Sequence, residues 1–375
     1  MDPGADSGLV DRVEMQQMRE SRPEAWLLSA YRADSHAAWA DWLLASQTQL
    51  HWRRVELPGR HFRWRIRGNP LSWLDRLPEG VPDLIVATSM VDLATLKGLF
   101  PRIARVPTIY YFHENQFSYP RSERQFDSID PQMVQLYGAL AAQRVLFNSR
   151  FNRDSFLDGV DELMARMPDA VPRGLRERLA EKSDICPVPI EPVAPSPNRS
   201  PRLLLWNHRW EYDKGPELFA DAVIAAAQSG VDFELALLGT RSEPAPEPLA
   251  RLRRCLGPRI VVDGRLERDA YRHCLGRASV VVSAAWHEYQ GLAVLEAVSA
   301  GARPLVPDAL CYPEQYPAAY RYPPGDTAAL VDRLSDWLSG GLPAAPDVSA
   351  WCASALQPAW SACLALADRE SEKIE

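Results

Sequence analysis

The sequence predicts an α/β protein with two doubly wound parallel sheets that face a central cleft. A chain of 375 residues is long enough for two domains. Apolar runs of four to six residues alternate with helix-like patterns, which is typical of parallel strands covered on both faces. Six prolines at and between residues 187 and 201 exclude a regular helix or central strand there, so this segment is predicted to link two halves.

The first half, residues 24–186, repeats the order of strand, turn and helix that builds a Rossmann-like domain. Its predicted strands lie at 26–31, 82–89, 107–114 and 144–149. A polar turn and a helix over 36–47 follow the first strand. Residues 1–23 precede this pattern, and we expect them to be disordered or loosely ordered.

The second half, residues 202–340, restarts the pattern as a second Rossmann-like domain. Its predicted strands lie at 202–209, 233–239, 259–266, 278–285 and 302–308, with helices over 216–230 and 291–301. Residues 341–375 add closing helices, which we expect to be interrupted at Pro358. Doubly wound sheets bind ligands outside the carboxyl ends of their strands, so the site is expected in the cleft between the domains.

Composition and charge exclude several classes of protein. The formal net charge is −7, so the chain as a whole is not a polycation that binds nucleic acid indiscriminately. The N-terminus lacks the basic start and apolar stretch of a signal peptide, and no apolar run approaches the ~18 residues that span a bilayer. The six cysteines are scattered without a C-x-x-C pair. We therefore expect a soluble, cytoplasmic protein with reduced thiols and no membrane contact.

One segment contrasts with the acidic whole. Residues 51–70 contain six arginines interleaved with Trp52, Phe62 and Trp64, and a single acid, Glu56. Cations alternating with aromatic rings suit phosphate contacts and base stacking. The alternative is a solvated basic strand, because the chain uses arginine for almost all of its positive charge. Within the segment, HFRWRIR has the two-residue period of a strand rather than that of a helix.

No glycine-rich dinucleotide motif or P-loop follows a predicted strand, so another kind of site is needed. Arg209 and Lys214 lie five residues apart, after a strand and ahead of a helix, where two cations beside exposed helix amides make a diphosphate site. Further along, Glu288 and Glu296 are separated by seven residues around Gly291, which frees backbone amides at a helix start. The alternative is a salt-bridged helix start with a polar helix face.

In this order, the Arg-x4-Lys pair and the Glu-x7-Glu element resemble the motifs of the retaining glycosyltransferases of family 4, which have the GT-B fold of two Rossmann-like domains. The resemblance implies that Arg209 and Lys214 hold the diphosphate of a nucleotide sugar. It also implies that Glu288 faces the transferred sugar and that Glu296 accepts hydrogen bonds from the ribose. The resemblance further implies that Tyr289, Gln290, Gly291 and Leu292, which lie between the two acids, bind the donor.

Longer segments narrow the resemblance to the tRNA-queuosine mannosyltransferases. They are YYFHENQFSYP (110–120), FNSRFNRDSF (147–156), WNHRWEYDKGPE (206–217), HEYQGLAVLEAV (287–298) and CYPEQYP (311–317). Such enzymes are hexosyltransferases that pass mannose from GDP-mannose to the cyclopentene diol of queuosine in the anticodon loop of aspartate tRNA. The resemblance implies these two partners, with no cofactor and no metal. The alternatives are a family 4 enzyme with another acceptor, such as a lipid carrier, saccharide or small molecule, and an inactive tRNA-binding relative.

The resemblance also assigns the N-terminal domain to the acceptor. In retaining GT-B enzymes a histidine in the position of His113 contacts the transferred sugar, so His113 joins the two cations and Glu288 as a catalytic candidate. The alternative for His113 is a core histidine with a structural partner. Glu114 and Asn115 either position acceptor hydroxyls or cap the following loop. The remaining acceptor-binding candidates are Ser35, His36, Arg63, Arg65, Gln116, Asn148 and Arg150.

The first loop departs from the family pattern. Where the family usually has Gly-Gly before Ser-His, the chain has Ala33 and Asp34 before Ser35 and His36, which removes easy access to positive φ. We expect the CYPEQYP segment, with Pro313 and Glu314, to close a loop under the donor base or sugar. Isolated histidines and the lack of an ordered set of carboxylates predict no metal site.

Overall fold

A computed structural model describes residues 22–119 and 128–371 of the protein. Almost all of the segment expected to be loosely ordered, residues 1–23, lies outside the described residues. Within them, two six-stranded parallel sheets follow one another along the chain, and helices connect their strands. The predicted α/β class with two doubly wound sheets is confirmed.

The first sheet has the strand order β2-β1-β3-β4-β5-β6. Its strands are β1 (Glu24–Arg32), β2 (His51–Pro58), β3 (Leu84–Thr88), β4 (Thr108–Phe112), β5 (Arg144–Phe147) and β6 (Ser183–Ile185). Strands β3 and β4 are apolar and buried along their whole length, which is why continuous apolar runs predicted them. Strand β2 forms an edge and exposes Arg53 and Arg54.

The helices of this half are α1 (Asp34–Ser46), α2 (Phe62–Ser72), α3 (Leu93–Leu99), α4 (Asp130–Ala141), α5 (Arg150–Ala165) and α6 (Leu175–Ala180). Helix α2 shows that the strand prediction for HFRWRIR was wrong. Its buried residues Ile66, Asn69 and Pro70 recur at helical spacing. The Asn69 side chain donates to the Met90 carbonyl at 3.1 Å and accepts from the Asp92 amide at 3.1 Å. These tertiary contacts outweigh the local two-residue period.

The second sheet has the strand order β12-β11-β10-β7-β8-β9. Its strands are β7 (Leu203–Trp206), β8 (Glu234–Leu237), β9 (Ile260–Asp263), β10 (Val280–Val282), β11 (Arg303–Pro307) and β12 (Arg321–Tyr322). Its helices are α7 (Pro216–Gln228), α8 (Glu247–Leu256), α9 (Arg268–Arg277), α10 (Leu292–Ser299) and α11 (Thr327–Asp336). The chain moves from β7 to β8 on one side and returns to β10 on the other, so the strand order reverses beside β7. Such a reversal opens a crevice at the carboxyl ends of the strands, where ligands bind in this class of fold.

A last helix, α12 (Ala353–Ser371), crosses back to the first sheet. Trp360 is fully buried there in one apolar cluster with Trp39 and Tyr111, and its indole N–H donates to the Pro187 carbonyl at 3.0 Å. The helix continues through Pro358, so the expected interruption was wrong. Pro358 and Ser354, the residue one turn before it, are both exposed, which lets water bond to the carbonyl that the proline leaves unpaired.

Candidate functional site

The two cations and the first acid of the sequence motifs come together at the carboxyl edge of the second sheet. Lys214 is buried, and its ammonium group donates to the Glu288 carboxylate at 3.2 Å and to the His287 carbonyl at 2.9 Å. It also forms an ion pair with Asp213 at 3.2 Å. Burial alone would lower the pKa of Lys214, but Glu288 and Asp213 outweigh it and raise the pKa, so this lysine is charged.

Arg209 lies at the mouth of this cluster with 49% of its side chain exposed. Its guanidinium forms ion pairs with Glu211 at 2.9 Å and with Asp213 at 3.6 Å. The Tyr119 side chain, which comes from the first half of the chain, also hydrogen-bonds to it. The charge of Arg209 therefore lies towards the cleft, whereas the charge of Lys214 is buried beside Glu288 and Asp213.

Glu288 is held as an anion. Its Oε1 accepts from the Tyr289 amide at 3.1 Å while Oε2 faces Lys214. Burial would raise the pKa of Glu288, but Lys214, His208 and the Gly291 amide lower it to about 2. The Lys214–Glu288 ion pair is the kind of contact that the alternative interpretation, a salt-bridged helix start, contains.

Two histidines flank the ion pair. His208 and His287 are buried, and the Nε2 atom of each has no hydrogen-bond partner within the described residues. Burial, together with Lys214, lowers the pKa of each ring to about 4. Both rings are therefore neutral at physiological pH and supply a polar nitrogen without adding charge.

Because the His208 ring is buried and neutral, we expect acid to destabilise the fold. His208 binds a proton with a pKa of about 4 in the folded protein and near 6.5 when exposed. Between those values the unfolded chain binds more protons, so the free energy of unfolding falls as the pH decreases from about 6.5 to about 4, by up to about 3 kcal/mol for this ring. Denaturant unfolding measured across this range should show the fall. His208→Gln should remove part of it, whereas His273→Gln, on the exposed side of α9, should leave it; equal slopes in all three proteins would contradict the assignment.

Glu296 lies on α10 and faces α9. Its Oε2 accepts from the Tyr271 hydroxyl at 2.9 Å, while its other oxygen accepts no bond from the described part of the chain. Burial raises the pKa of Glu296 in spite of the bond to Tyr271. Asn207, next to the end of β7, donates to the Ala293 carbonyl at 2.7 Å. The expected ribose contact thus lies beside the first turns of α10 and has one carboxylate oxygen available.

On the opposite side of the cleft, His113 follows β4 and is buried. Its ring stacks on that of His36 with centroids 4.1 Å apart, and Trp39 meets it edge-on at 4.7 Å. His36 is oriented in turn by Nδ1, which lies 2.9 Å from the Tyr31 carbonyl oxygen. Burial lowers the pKa of His113, and its Nε2 has no partner among residues 22–119 and 128–371.

Asn115 is a structural residue in this geometry. Its amide donates to the Asn152 carbonyl at 3.0 Å and its oxygen accepts from the Phe117 and Ser118 amides at 3.0 and 3.1 Å. Of the two roles expected for Asn115, the structure therefore favours loop capping. Glu114 is only half-buried, and its backbone carbonyl accepts from Ser89 at 3.0 Å, so its carboxylate is the more accessible of the two side chains.

The neighbouring candidates also support this loop. Asn148 donates to the His113 carbonyl at 2.8 Å, and the Gln116 amide donates to the Gln135 side chain at 2.7 Å. Ser35 is exposed in the first turn of α1. The first loop needs no glycine of its own, because Ala33 has an ordinary φ of −82°. A glycine is needed at position 59 instead, because an added Cβ there would lie 2.7 Å from the Arg32 carbonyl oxygen.

The arginines of the basic segment lie on β2 and α2 and in the loop between them. Three of its arginines form ion pairs with acids of neighbouring elements: Arg53 with Glu24 at 3.1 Å, Arg54 with Asp41 at 2.7 Å, and Arg67 with Asp92 at 2.6 Å. Arg63 and Arg65 lie on α2, which begins beside the end of β1, where the Phe62 and Tyr31 rings meet. Between them Trp64 exposes 52% of its surface and rests on Gly68.

The side chain of Tyr289 contacts the first half of the chain and that of Gln290 contacts the linker, which differs from the expected donor contact. The Tyr289 hydroxyl donates to the Asn115 carbonyl and lies 2.9 Å from the Ser118 hydroxyl. The Gln290 amide forms two bonds with the backbone of Val188, at 2.7 and 2.9 Å. Leu292 packs against the apolar clusters of both halves. Gly291 starts α10 with a φ of +66°.

Glu314 also differs from expectation. Instead of closing a loop under the donor, its carboxylate accepts from the backbone amides of Arg150 at 3.0 Å and Phe151 at 3.2 Å, which begin α5 in the first half. Sequence reasoning missed this contact because the partners are 163 and 164 residues apart. It also missed Asp213 and Tyr119, although Asp213 precedes Lys214 directly and Tyr119 lies in the motif that contains His113.

Two family models match the chain. Residues 24–190 match the model described as tRNA-queuosine alpha-mannosyltransferase N-terminal, and residues 201–340 match the glycosyl transferases group 1 model. A Drosophila melanogaster protein named tRNA-queuosine alpha-mannosyltransferase is 31% identical over 316 residues, which cover 80% of this chain and 84% of that protein. The similarity thus extends over both sheets.

Solved structures share the fold. Anabaena HepE in complex with UDP superposes with a TM-score of 0.61 at 14% identity, covering 94% of this chain and 99% of that one. The sucrose-phosphate synthase of Thermosynechococcus elongatus gives a TM-score of 0.65 at 14% identity, with 94% and 100% covered. These likenesses confirm the predicted GT-B architecture. Within the described residues, no helix has the length and apolar character needed to cross a bilayer.

Proposed function

Because the chain belongs to the tRNA-queuosine alpha-mannosyltransferase family, we propose that it transfers mannose from GDP-mannose to the cyclopentene diol of queuosine in the anticodon loop of aspartate tRNA, with retention at the anomeric carbon. The chain is a glycosyltransferase. The similarity to the Drosophila relative over both domains supports the sugar and the acceptor. Six unpaired thiols suit the reducing cytoplasm, which is the location we propose.

The observation that carries the proposal is the arrangement of charge across the cleft. The buried Lys214–Glu288 pair and the half-exposed Arg209 lie at the point where the strand order of the second sheet reverses. His113 lies at the corresponding edge of the first sheet, and the Tyr289 hydroxyl joins the loop after it to the Glu288 loop. Such a cleft suits a nucleotide sugar on one side and its acceptor on the other.

The proposed reaction breaks the bond between the anomeric carbon and the donor phosphate oxygen. The GDP that leaves gains negative charge, which Lys214, Arg209 and the amides at the start of α10 stabilise. Glu288 remains ionised and faces the positive charge that develops on the sugar. The oxygen of the queuosine hydroxyl bonds to the anomeric carbon, and its proton passes to a phosphate oxygen of the donor. This route requires no divalent cation and no cofactor.

Mass spectrometry of the modified nucleoside tests the proposal. Purified protein is incubated with queuosine-bearing tRNA and, separately, with GDP-mannose, GDP-glucose, UDP-glucose or UDP-galactose. We expect the nucleoside to gain one hexose with GDP-mannose and only in tRNA that carries queuosine. A gain with a uridine donor would contradict the GDP assignment, and transfer to tRNA that lacks queuosine would contradict the acceptor.

The basic segment supports tRNA as the acceptor, and its arginines allow a matched test. We expect the double change of Arg60 and Arg65 to glutamine to weaken tRNA binding and to reduce the slope of log affinity against log salt by up to about 2, since each lost phosphate contact removes about 0.9. The control replaces Arg53 and Arg54, which pair with Glu24 and Asp41. GDP-mannose affinity should stay unchanged in both. Equal salt slopes in the two double variants would place the tRNA elsewhere.

A further inference from the structure

The Glu314 carboxylate caps a helix of the other domain. It lies in the 3-10 turn Tyr312–Glu314 of the second domain, and its two oxygens accept from the first two amides of α5 in the first domain, Arg150 at 3.0 Å and Phe151 at 3.2 Å. The residue before the helix, Ser149, accepts only from the third amide, that of Asn152, at 3.0 Å. Glu314 therefore completes a cap that the local sequence leaves unfinished.

A carboxylate is well suited to this position. The first turn of a helix carries partial positive charge, and a helix of 16 residues such as α5 has a fully developed dipole. Desolvation raises the pKa of Glu314, while the two amides and Arg150 act in the opposite direction. Glu314 is an exposed residue, so its carboxylate makes two directed hydrogen bonds across the cleft while it stays accessible to water.

The start of α5 is tied to the loop that carries His113. Asn148 donates to the His113 carbonyl at 2.8 Å, and Asn152 donates to the Phe112 carbonyl at 3.1 Å. The same Asn152 donates to Asn148 at 2.8 Å and accepts from Asn115 at 2.9 Å. A displacement of the first turn of α5 would therefore move the backbone on both sides of His113.

The other end of the link is tied to the Glu288 loop. Gln315, next to Glu314, donates to the Gln290 carbonyl at 2.6 Å. The Tyr312 hydroxyl donates to Ser283 at 2.7 Å, in the segment after β10. The turn that carries Glu314 is thus fixed to the loop of the ion pair. The Glu314 carboxylate therefore links the turn that holds the Glu288 loop to the start of α5, which holds the loop of His113.

We propose that Glu314 is a positioning residue that sets the distance between His113 and the Lys214–Glu288 pair by capping α5 across the cleft. It contacts neither reacting group directly, so it acts on the rate of transfer and leaves the affinity for the donor unchanged. Tyr289 makes a second, parallel link to the loop after His113. Loss of Glu314 therefore loosens the arrangement without separating the domains.

Hydrogen exchange provides the first test, on the full chain without substrate. In Glu314→Gln, an NH2 group that cannot accept replaces one of the two carboxylate oxygens, and we expect exchange to accelerate about tenfold at whichever of the Arg150 and Phe151 amides faces it. The matched control is Glu247→Gln, which removes a carboxylate from the first turn of α8, where it pairs with Arg254. Acceleration confined to the Glu314 variant supports the cap. Unchanged exchange at both amides in Glu314→Gln overturns the proposal.

Kinetics provide the second test, and this readout alone rests on the proposed function. We expect kcat to fall about tenfold in Glu314→Gln with the donor KM within about twofold, since a small misplacement of reacting groups lowers the rate without changing donor contacts. An unchanged kcat, or a raised donor KM at constant kcat, overturns the positioning role. If the wild-type protein transfers no mannose to tRNA, the proposed function fails, and the exchange measurement still decides whether the cap exists.

Discussion

Replacing Lys214 with alanine is expected to lower the rate of transfer by about 10²–10³-fold, because the leaving group then loses its buried countercharge. The structure adds a second effect. Lys214 lies between Glu288 and Asp213, so its removal leaves Glu288 without its cation and leaves Asp213 with Arg209 alone, at 3.6 Å, which destabilises the domain as well. Activity must therefore be compared at equal folded fraction.

Two further variants separate the two effects. Lys214→Met with Glu288→Gln removes the charge of both partners and should recover much of the stability while activity stays low. Lys97→Met removes a buried lysine of the first domain, which bonds to the Val106 and Ala141 carbonyls at 3.3 and 3.2 Å. It should cost stability but keep the specific rate of the folded protein. Near-normal turnover of folded Lys214→Ala would contradict the diphosphate assignment.

Gly215→Ala is expected to destabilise the second domain by about 3–5 kcal/mol, because it combines backbone strain with a steric clash. Gly215 precedes α7 with a φ of +65°, and an added Cβ would overlap the carbonyl oxygen of Ala284 in the segment after β10. This close approach holds the Lys214 turn against the Glu288 loop. The substitution should therefore abolish donor binding along with stability.

Gly230 offers a matched control at the other end of the same helix. It has a φ of +85°, but an added Cβ would meet no heavy atom within 4 Å. Gly230→Ala should therefore cost only the strain of a left-handed alanine, about 1–2 kcal/mol. Denaturant unfolding and a donor-binding titration of both variants check the difference. Equal unfolding midpoints would show that the approach of Ala284 is unimportant.

The sequence predicted the fold well where short apolar runs are buried along their whole length, as in β3 and β4. It failed at α2, because Phe62, Trp64 and Ile66 alternate with arginines in a pattern that fits a strand. The helix forms there because Asn69 finds partners in the loop after β3, a contact without any local signature. Pro358 misled the prediction for α12 in a similar way, because burial of Trp360 offsets the lost hydrogen bond.

In the candidate site, too, local patterns could be predicted and contacts between distant residues could not. The approach of Arg209, Lys214 and Glu288 could be predicted, because spacing within each motif places them at strand ends of one sheet. The roles of Tyr289, Gln290 and Glu314 could not, since their partners lie more than 100 residues away, in the first domain or, for Gln290, in the linker. Asn115 illustrates the ambiguity that remains within a motif: the same amide can serve a ligand or a loop, and only its three-dimensional neighbours decide.

The path of α12 has a consequence for how the protein is made. Trp360 completes the apolar cluster that contains Trp39 and Tyr111, and both of those rings contact His113. During synthesis the first sheet leaves the ribosome long before α12 does, and domains generally fold in order of emergence. The wall behind His113 therefore stays uncovered until residues 353–371 have been made. The histidine acquires its dry surroundings last, so a nascent first domain can be compact yet inactive.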